Sequence, residues 1–282
     1  EGNTILKVLT IIGTRPEAIK MAPVIRELEN RKNIDSRVCV TAQHREMLDQ
    51  PLQLFKITPD YDLDIMTDKQ SLSGLTSKAI EGLEEVVSNE KPDWILVQGD
   101  TTTAFCGALV GFYHKVKVGH VEAGLRTGNK WAPYPEEVNR SLVAPIADLH
   151  FAPTQFSKEA LLKESIPGEK IYVTGNTVID SLLWARDNLD KHDRELPEGL
   201  SKELEGYKVV LVTGHRRESF GEGFKNICQA ILEVADIMEE VAFVYPVHLN
   251  PIVREEVYRT LGGHKRIKLI SPQPYMPFVW LM

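Results

Sequence analysis

The alternation of short β-branched runs with longer amphipathic segments limits the fold of this chain more than any other feature. Runs typical of strands occur at residues 7–12, 37–42, 94–98, 116–121 and 171–174. Helical patterns lie between them, at residues 16–29, 71–88, 101–113 and 136–146. Such an alternation predicts a parallel sheet with helices on both faces. The fold class is therefore predicted to be α/β, built from doubly wound, Rossmann-like domains.

A charged stretch at about residues 187–207 interrupts this pattern, which then restarts. New strand-like runs occur at residues 208–214, 241–247 and 267–270. We therefore predict one domain at residues 1–175 and a second at 176–282, with a linker within about residues 175–207. Sheets of this kind usually have about five or six strands. The second domain, with about three, is thus expected to be incomplete in this chain.

The charge balance and the cysteines limit the partners and the location of the protein. A net charge of -7, without a long basic stripe, argues against nucleic-acid binding. The three cysteines lie far apart, which indicates free thiols in a reducing cytoplasm. No apolar run approaches the roughly 18 residues that a membrane span needs. We therefore expect a cytoplasmic protein that binds neither nucleic acid nor membrane.

Acids and bases follow the predicted strands repeatedly. In an open α/β sheet, ligands bind beyond the carboxyl ends of the strands, so side chains at these ends are the candidate functional groups. In this chain they include Arg15, Lys20, Asp100, Glu122 and His215. Facing one another across an interdomain cleft, the carboxylates would transfer protons and the basic cluster that begins at His215 would hold an anion. The residues alone thus indicate an anionic substrate and acid/base chemistry.

Several of these residues also have a structural interpretation. Asp100 precedes three threonines and could cap a helix, and Glu136 lies in a first helical turn, where acids offset the helix dipole. Glu122 ends an apolar strand, where a carboxylate needs a partner, and Arg126 is the candidate counter-charge. Gly124 could let the backbone turn close to a ligand. The sequence has neither a Walker loop nor a GxGxxG fingerprint nor metal-ligand spacing, so no cofactor and no metal are predicted.

Eight motifs resemble those of one enzyme family. In chain order they are GTRPEAIKMAP, VTAQHREML, GDTTTA, GHVEAGLRTGN, PYPEEVNR, TGNTVID, TGHRRE and YPVHLNP. The set is similar to that of the non-hydrolysing UDP-N-acetylglucosamine (UDP-GlcNAc) 2-epimerases of bacteria and archaea. The resemblance implies a GT-B fold, in which two Rossmann-like domains hold a nucleotide sugar in the cleft between them.

The resemblance also implies a reaction, the reversible conversion of UDP-GlcNAc into UDP-N-acetylmannosamine (UDP-ManNAc) for cell-surface polysaccharides. Removal of the C2 proton with anti elimination of UDP would give 2-acetamidoglucal, and re-addition of UDP with protonation from the opposite face would give the epimer. The catalytic positions implied are Asp100, Glu122, Glu136 and His215. The substrate-binding positions implied are Arg15 and Lys20, and, near the uracil, Gln273 and Phe278.

Regulation and assembly are implied in the same way. A second UDP-GlcNAc would act as an allosteric activator at Gln43, His44, Gln70 and His248. The family implies a homodimer and needs no cofactor. Its Ser-Gly-Gly segment, which cradles the diphosphate and ribose, and its C-terminal helix are expected beyond Met282.

Three alternatives stay open at this point. A hydrolysing epimerase shares the fold and much of the site but releases UDP and free ManNAc. A GT-B glycosyltransferase would need an acceptor site, which the sequence does not identify. A non-catalytic nucleotide-sugar-binding protein would bind UDP-sugars without exchanging the hydrogen at C2.

Overall fold

The computed structural model describes residues 5–41, 45–66, 70–189, 197–214 and 222–282. The chain divides into two compact units, the first extending to Leu183 and the second running from Trp184 to Met282. None of the helices in the described ranges has the length and apolar character needed to cross a lipid bilayer.

The first unit alternates strands and helices in chain order. Its elements are β1 (Leu6–Ile12), α1 (Arg15–Glu29), β2 (Ile34–Val40), α2 (Arg45–Phe55), β3 (Tyr61–Asp62), α3 (Leu72–Glu90), β4 (Trp94–Gln98), α4 (Thr102–Tyr113), β5 (Lys117–Val121), α5 (Glu136–Ile146), β6 (Leu149–Ala152), α6 (Gln155–Lys163), β7 (Ile171–Val173) and α7 (Thr177–Asp187), the last crossing into the second unit.

The seven strands described in this unit form one parallel sheet in the order β3-β2-β1-β4-β5-β6-β7. From β1 the chain builds outward to β3, returns to β4 and then builds outward in the other direction. This reversal between β1 and β4 is the topological switch point, where doubly wound sheets form a crevice at the carboxyl ends of the strands. The loops after β1 and β4 therefore lie where a ligand would be expected.

The central strands are apolar because both of their faces are covered. Leu9 and Ile11 of β1 pack with Ile95 and Val97 of β4 in a buried core that also includes residues of α3 and α4. A strand buried on both faces needs a nearly continuous apolar run, which is what the sequence of β4 provides.

The second unit repeats the plan with a smaller sheet in the described ranges. Its elements are α8 (Leu200–Glu203), β8 (Lys208–Leu211), α9 (Glu222–Ile237), β9 (Val241–Pro246), α10 (Pro251–Leu261), β10 (Ile267–Ile270) and α11 (Tyr275–Leu281). The strands are parallel in the order β10-β9-β8. Phe243 and Tyr245 of β9 pack with α9 and α10, whereas Ala242 and Val244 pack with α8 and α11. The two-residue period of β9 thus builds one core on each face of the sheet.

The structure confirms the α/β class with parallel sheets. The bounds of β4, α5 and β10 agree to the residue with the strand predicted at 94–98, the helix predicted at 136–146 and the strand predicted at 267–270. The sequence patterns did not identify α2, β3, β6, α6 or α7.

Candidate functional site

Hydrogen bonds join the loop after β4 to the last residues of β5 at the carboxyl edge of the first sheet. The backbone N–H of Gly99 donates to the carbonyl of Val121 over 2.9 Å. The carbonyl of Gly99 accepts a hydrogen bond of 2.7 Å from Nε2 of His120, a buried residue whose pKa is lowered by burial to about 4. Because Gly99 precedes Asp100 and Val121 precedes Glu122, these bonds bring the two carboxylate residues to one edge.

Glu122 forms an ion pair with Lys20 of helix α1. The Lys20 Nζ atom lies 2.6 Å from Oε2 and 2.9 Å from Oε1 of Glu122. Gln98, the last residue of β4, donates from Nε2 to Oε2 of Glu122 over 3.1 Å. The Glu122 side chain is only 10% exposed, so these partners compensate a largely buried charge. Lys20 and Glu122 were both predicted site residues, but the sequence did not indicate that they pair.

Arg126 is not the counter-charge of Glu122, so that prediction is wrong. Its guanidinium forms two hydrogen bonds of 2.7 Å with the carboxylate of Glu164, just after α6. The backbone explains the difference, because Glu122 and Gly124 have φ angles of +63° and +89° and turn the chain after β5. A Cβ atom on Gly124 would lie 2.2 Å from the carbonyl oxygen of Ser157 in α6. Gly124 therefore permits close packing against a helix.

Asp100 is held by two residues of helix α5. Its carboxylate pairs with the guanidinium of Arg140, and its backbone carbonyl accepts a 2.9 Å hydrogen bond from Nδ2 of Asn139. The interpretation of Asp100 as a helix cap is wrong, because Oγ1 of Thr101 accepts from the N–H of Ala104 over 3.0 Å and caps α4. The Asp100 carboxylate is thus paired with Arg140 instead of capping the helix.

Glu136 and Glu137 begin helix α5, but their side chains lie in different surroundings. Oε2 of Glu136 is buried and has no hydrogen-bond partner among the described residues. Residues three and four positions apart share a helix face, so Glu136 lies on the side of α5 from which Asn139 and Arg140 reach Asp100. Glu137, in contrast, accepts 2.9 Å hydrogen bonds from the backbone N–H groups of residues 127 and 128. Glu137 thus anchors a loop, while Glu136 lies on the face of α5 that holds Asp100.

Asn139 and Arg140 were not predicted from the sequence, although a signal for them was present. In the motif PYPEEVNR they follow Glu136 by three and four residues, which on a helix places all three on one face. The predicted helix at 136–146 already placed them beside Glu136, but a search limited to the residues that follow strands did not include that helix face.

Glu17 connects the loops at the switch point, and the sequence did not single it out. Its Oε1 accepts from Oγ1 of Thr101 over 2.7 Å, and its Oε2 accepts from the N–H of Gly13 over 3.0 Å. The residue is 1% exposed, and burial raises the pKa of its carboxyl to about 7. No periodicity distinguishes it from an ordinary acid in a first helical turn.

Arg15 is the first residue of α1 and is half-buried, which lowers the pKa of its guanidinium. In the described parts of the chain it has no hydrogen-bond or ion-pair partner. A cation at a helix N-terminus, where backbone N–H groups also point outward, is suited to bind an anion.

The other predicted positions are more dispersed. Gln70 is half-buried and precedes α3, and the exposed His248 follows β9 and accepts on Nδ1 from the N–H of Asn250 over 3.1 Å. Gln273 follows β10 and Phe278 lies in α11, both half-buried in the second unit. Gln43, His44 and His215 lie outside the described residues. In the first unit, Lys20, Asp100 and Glu122 thus lie at the carboxyl edge of the sheet, Glu136 lies on the face of α5 that holds Asp100, and Arg15 begins α1. Within the described residues, no group of three or more His, Cys, Asp or Glu side chains could hold a metal ion.

Comparisons with known proteins show which family this chain matches. Residues 26–282 match the family described as UDP-N-acetylglucosamine 2-epimerase. The UDP-N-acetylglucosamine 2-epimerase of Salmonella typhimurium is 55% identical over 280 residues, which are 98% of this chain and 74% of the relative.

Two solved structures extend the comparison to the fold. The UDP-GlcNAc 2-epimerase from Neisseria meningitidis bound to UDP-GlcNAc is 50% identical with a TM-score of 0.87, covering 98% of this chain and 75% of that one. The enzyme from Methanocaldococcus jannaschii in complex with UDP-GlcNAc and UDP is 34% identical with a TM-score of 0.79, covering 98% and 76%. These similarities confirm the predicted fold class, α/β of GT-B type with Rossmann-like units.

Proposed function

The chain belongs to the UDP-N-acetylglucosamine 2-epimerase family, and from this premise we propose that it interconverts UDP-GlcNAc and UDP-ManNAc without net hydrolysis. It is an isomerase by family. The observation that carries the proposal is the placement of Asp100 and Glu122 at one edge of the first sheet, with Glu136 on the face of α5 that holds Asp100.

Inversion at C2 needs proton transfer on both faces of the sugar. In the proposed reaction a carboxylate takes the C2 proton, the C1–O bond to UDP breaks and a C1=C2 double bond forms, giving 2-acetamidoglucal and UDP. In the second half a phosphate oxygen of UDP attacks C1 and an acid group delivers a proton to the opposite face of C2. A single carboxylate cannot face both sides of the ring, so more than one acid/base group is required.

The geometry supports an assignment of these roles to the three carboxylates. Glu122 and Asp100 have separate cations, Lys20 and Arg140, so two negative charges can be held close together. Glu136, unlike Glu17, is only half-buried, and its Oε2 has no partner among the described residues, so we propose that its carboxyl hydrogen-bonds to substrate. A general acid or base must lie within hydrogen-bond reach of the group whose proton it transfers.

Arg15 supports an anionic substrate. The half-buried guanidinium has no internal partner in the described ranges and stands at the N-terminus of α1, so we propose that it binds the diphosphate. Contacts of His215 with the departing phosphate, and of Gln273 and Phe278 near the uracil, stay predictions. The UDP-binding role of residues 176–282, the allosteric site, the homodimer and the cytoplasmic location are also proposals.

The test is to incubate the full-length protein with UDP-GlcNAc in deuterated water and to follow the products by NMR. We expect deuterium at C2 of intact UDP-GlcNAc and of UDP-ManNAc. Release of UDP and free ManNAc in equal amounts would favour a hydrolysing epimerase instead. Binding of UDP-GlcNAc without exchange at C2 would reject catalysis and favour a nucleotide-sugar-binding protein.

A further inference from the structure

We propose that Glu17 is a positioning residue that fixes the loop after β1 against the loop after β4, and thereby sets Lys20 and Asp100 in register. The inference rests on the proposed function, since Lys20 and Asp100 matter through the reaction assigned to them. Glu17 is 1% exposed, so it cannot touch a substrate and must act through its neighbours.

The two oxygens of Glu17 bind different loops. Oε2 accepts the N–H of Gly13, which directly follows β1, and Oε1 accepts the hydroxyl of Thr101, which follows Asp100. The loop after β1 also packs closely against the first turn of α4, since a Cβ atom on Gly13 would lie 2.2 Å from Oγ1 of Thr103. A single carboxylate thus joins the loop after β1 to the loop after β4, next to a tight contact between Gly13 and α4.

The hydroxyl of Thr101 carries this connection into helix α4. It donates its only proton to Glu17 and accepts from the N–H of Ala104 on a lone pair, so both bonds form together. Along α1, Lys20 lies three residues after Glu17 and therefore on the neighbouring turn. A shift of Glu17 would consequently move the amine that pairs with Glu122 and the backbone that carries Asp100.

Both bonds require Glu17 to accept on both oxygens, which the ionised carboxylate does best. The groups that act on its pKa from the two loops are Gly13, Thr14 and Thr101, which carry no charge. Burial raises this pKa to about 7, and the hydrogen bonds from these groups oppose the increase. The positioned form should therefore be lost as the pH falls below neutrality.

The experiment compares wild-type protein with Glu17→Gln, Thr101→Val and Thr101→Ser in kcat, KM and the pH dependence of kcat. In Glu17→Gln an amide replaces one acceptor by a donor, so we expect kcat to fall about tenfold while KM changes little. The acid-side inflection near neutral pH should disappear. Thr101→Val removes a bond that lowers the Glu17 pKa, so its inflection should move to higher pH.

Thr101→Ser keeps the hydroxyl, so it should restore both kcat and the position of the inflection relative to Thr101→Val. Wild-type kcat with an unchanged acid limb in Glu17→Gln would overturn the proposal. If Glu17→Gln does not fold, equal pH profiles for Thr101→Val and Thr101→Ser would overturn it instead. An intact wild-type protein that exchanges no deuterium at C2 would overturn the proposed function itself, which separates the two failures.

Discussion

Glu122 has an unfavourable backbone conformation, but its carboxylate has both an ion-pair and a hydrogen-bond partner. Its φ of +63° lies in the left-handed region, which costs a non-glycine residue roughly 1–2 kcal/mol. Lys20 and Gln98 hold its carboxylate from two different elements. Strained residues persist where the surroundings fix them, often at functional sites, and here the turn aims the carboxylate at the sheet edge.

The substitution Glu122→Gln tests this residue directly. A neutral amide of the same shape cannot exchange a proton, so we expect turnover to fall about 10²- to 10⁴-fold while the fold is kept. The matched control is Glu164→Gln, which breaks the ion pair with Arg126 outside the carboxylate group and should keep its turnover. Turnover and deuterium exchange at C2 measure the effect, and thermal unfolding checks the fold. Near-normal turnover in Glu122→Gln would assign Glu122 a structural role.

Among the helices and strands, the sequence predicts those that a regular pattern of apolar residues marks. Strand β4 was predicted to the residue because four apolar residues followed by Gln98 stand between an aspartate and a glycine. Strand β6 was missed because its four residues follow α5 after only two others, and so short a run cannot be told from a helix end. Likewise, the rule of strand ends found Asp100 and Glu122. The cations that pair with these carboxylates are brought into place by backbone turns and helix faces, and the spacing of apolar residues does not reveal those.

The contact between the turn after β5 and helix α6 gives a prediction at this scale. Gly124→Ala would place a methyl group against the carbonyl of Ser157. This carbonyl belongs to the backbone of a helix, so its position is fixed. We expect the free energy of unfolding to fall by more than about 2 kcal/mol. Gly128→Ala is the control, because Gly128 also has a positive φ, +74°, but no atom lies within 4 Å of its added Cβ. It should lose only about 1 kcal/mol in urea denaturation, and equal losses would contradict the role of the contact.

The free energy of unfolding of the whole protein depends on pH through two kinds of buried ionisable group, which act in opposite directions. Burial lowers the pKa of His120 and His150 from 6.5 to about 4. Between these pH values the two histidines bind protons in the unfolded chain but stay neutral in the native chain. Their contribution to stability is full above pH 6.5 and is lost as the pH falls through about 4. Glu17, with a pKa raised from 4.5 to about 7, contributes stability below pH 4.5 that is lost as the pH rises through about 7.

Between about pH 4.5 and 6.5, each of these groups changes the free energy of unfolding by up to about 1.4 kcal/mol per pH unit. The histidines make stability rise with pH, and Glu17 offsets part of that rise. We therefore expect Glu17→Gln to steepen the slope by up to about 1.4 kcal/mol per pH unit, as measured by urea denaturation across the window. The double variant Glu17→Gln with His150→Gln should return to the wild-type slope. An unchanged slope in the single variant would contradict the assignment.

The parallel register of β4 and β5 has a consequence for how this chain can vary. Gln98 lies opposite Val121, and Glu122 is the next residue, so its place is set by counting residues along the two strands. One residue gained or lost in β5 would turn Glu122 to the opposite face of the sheet, even if every acid and base kept its identity. The apolar residues of these strands can therefore be exchanged for one another far more readily than their number can change.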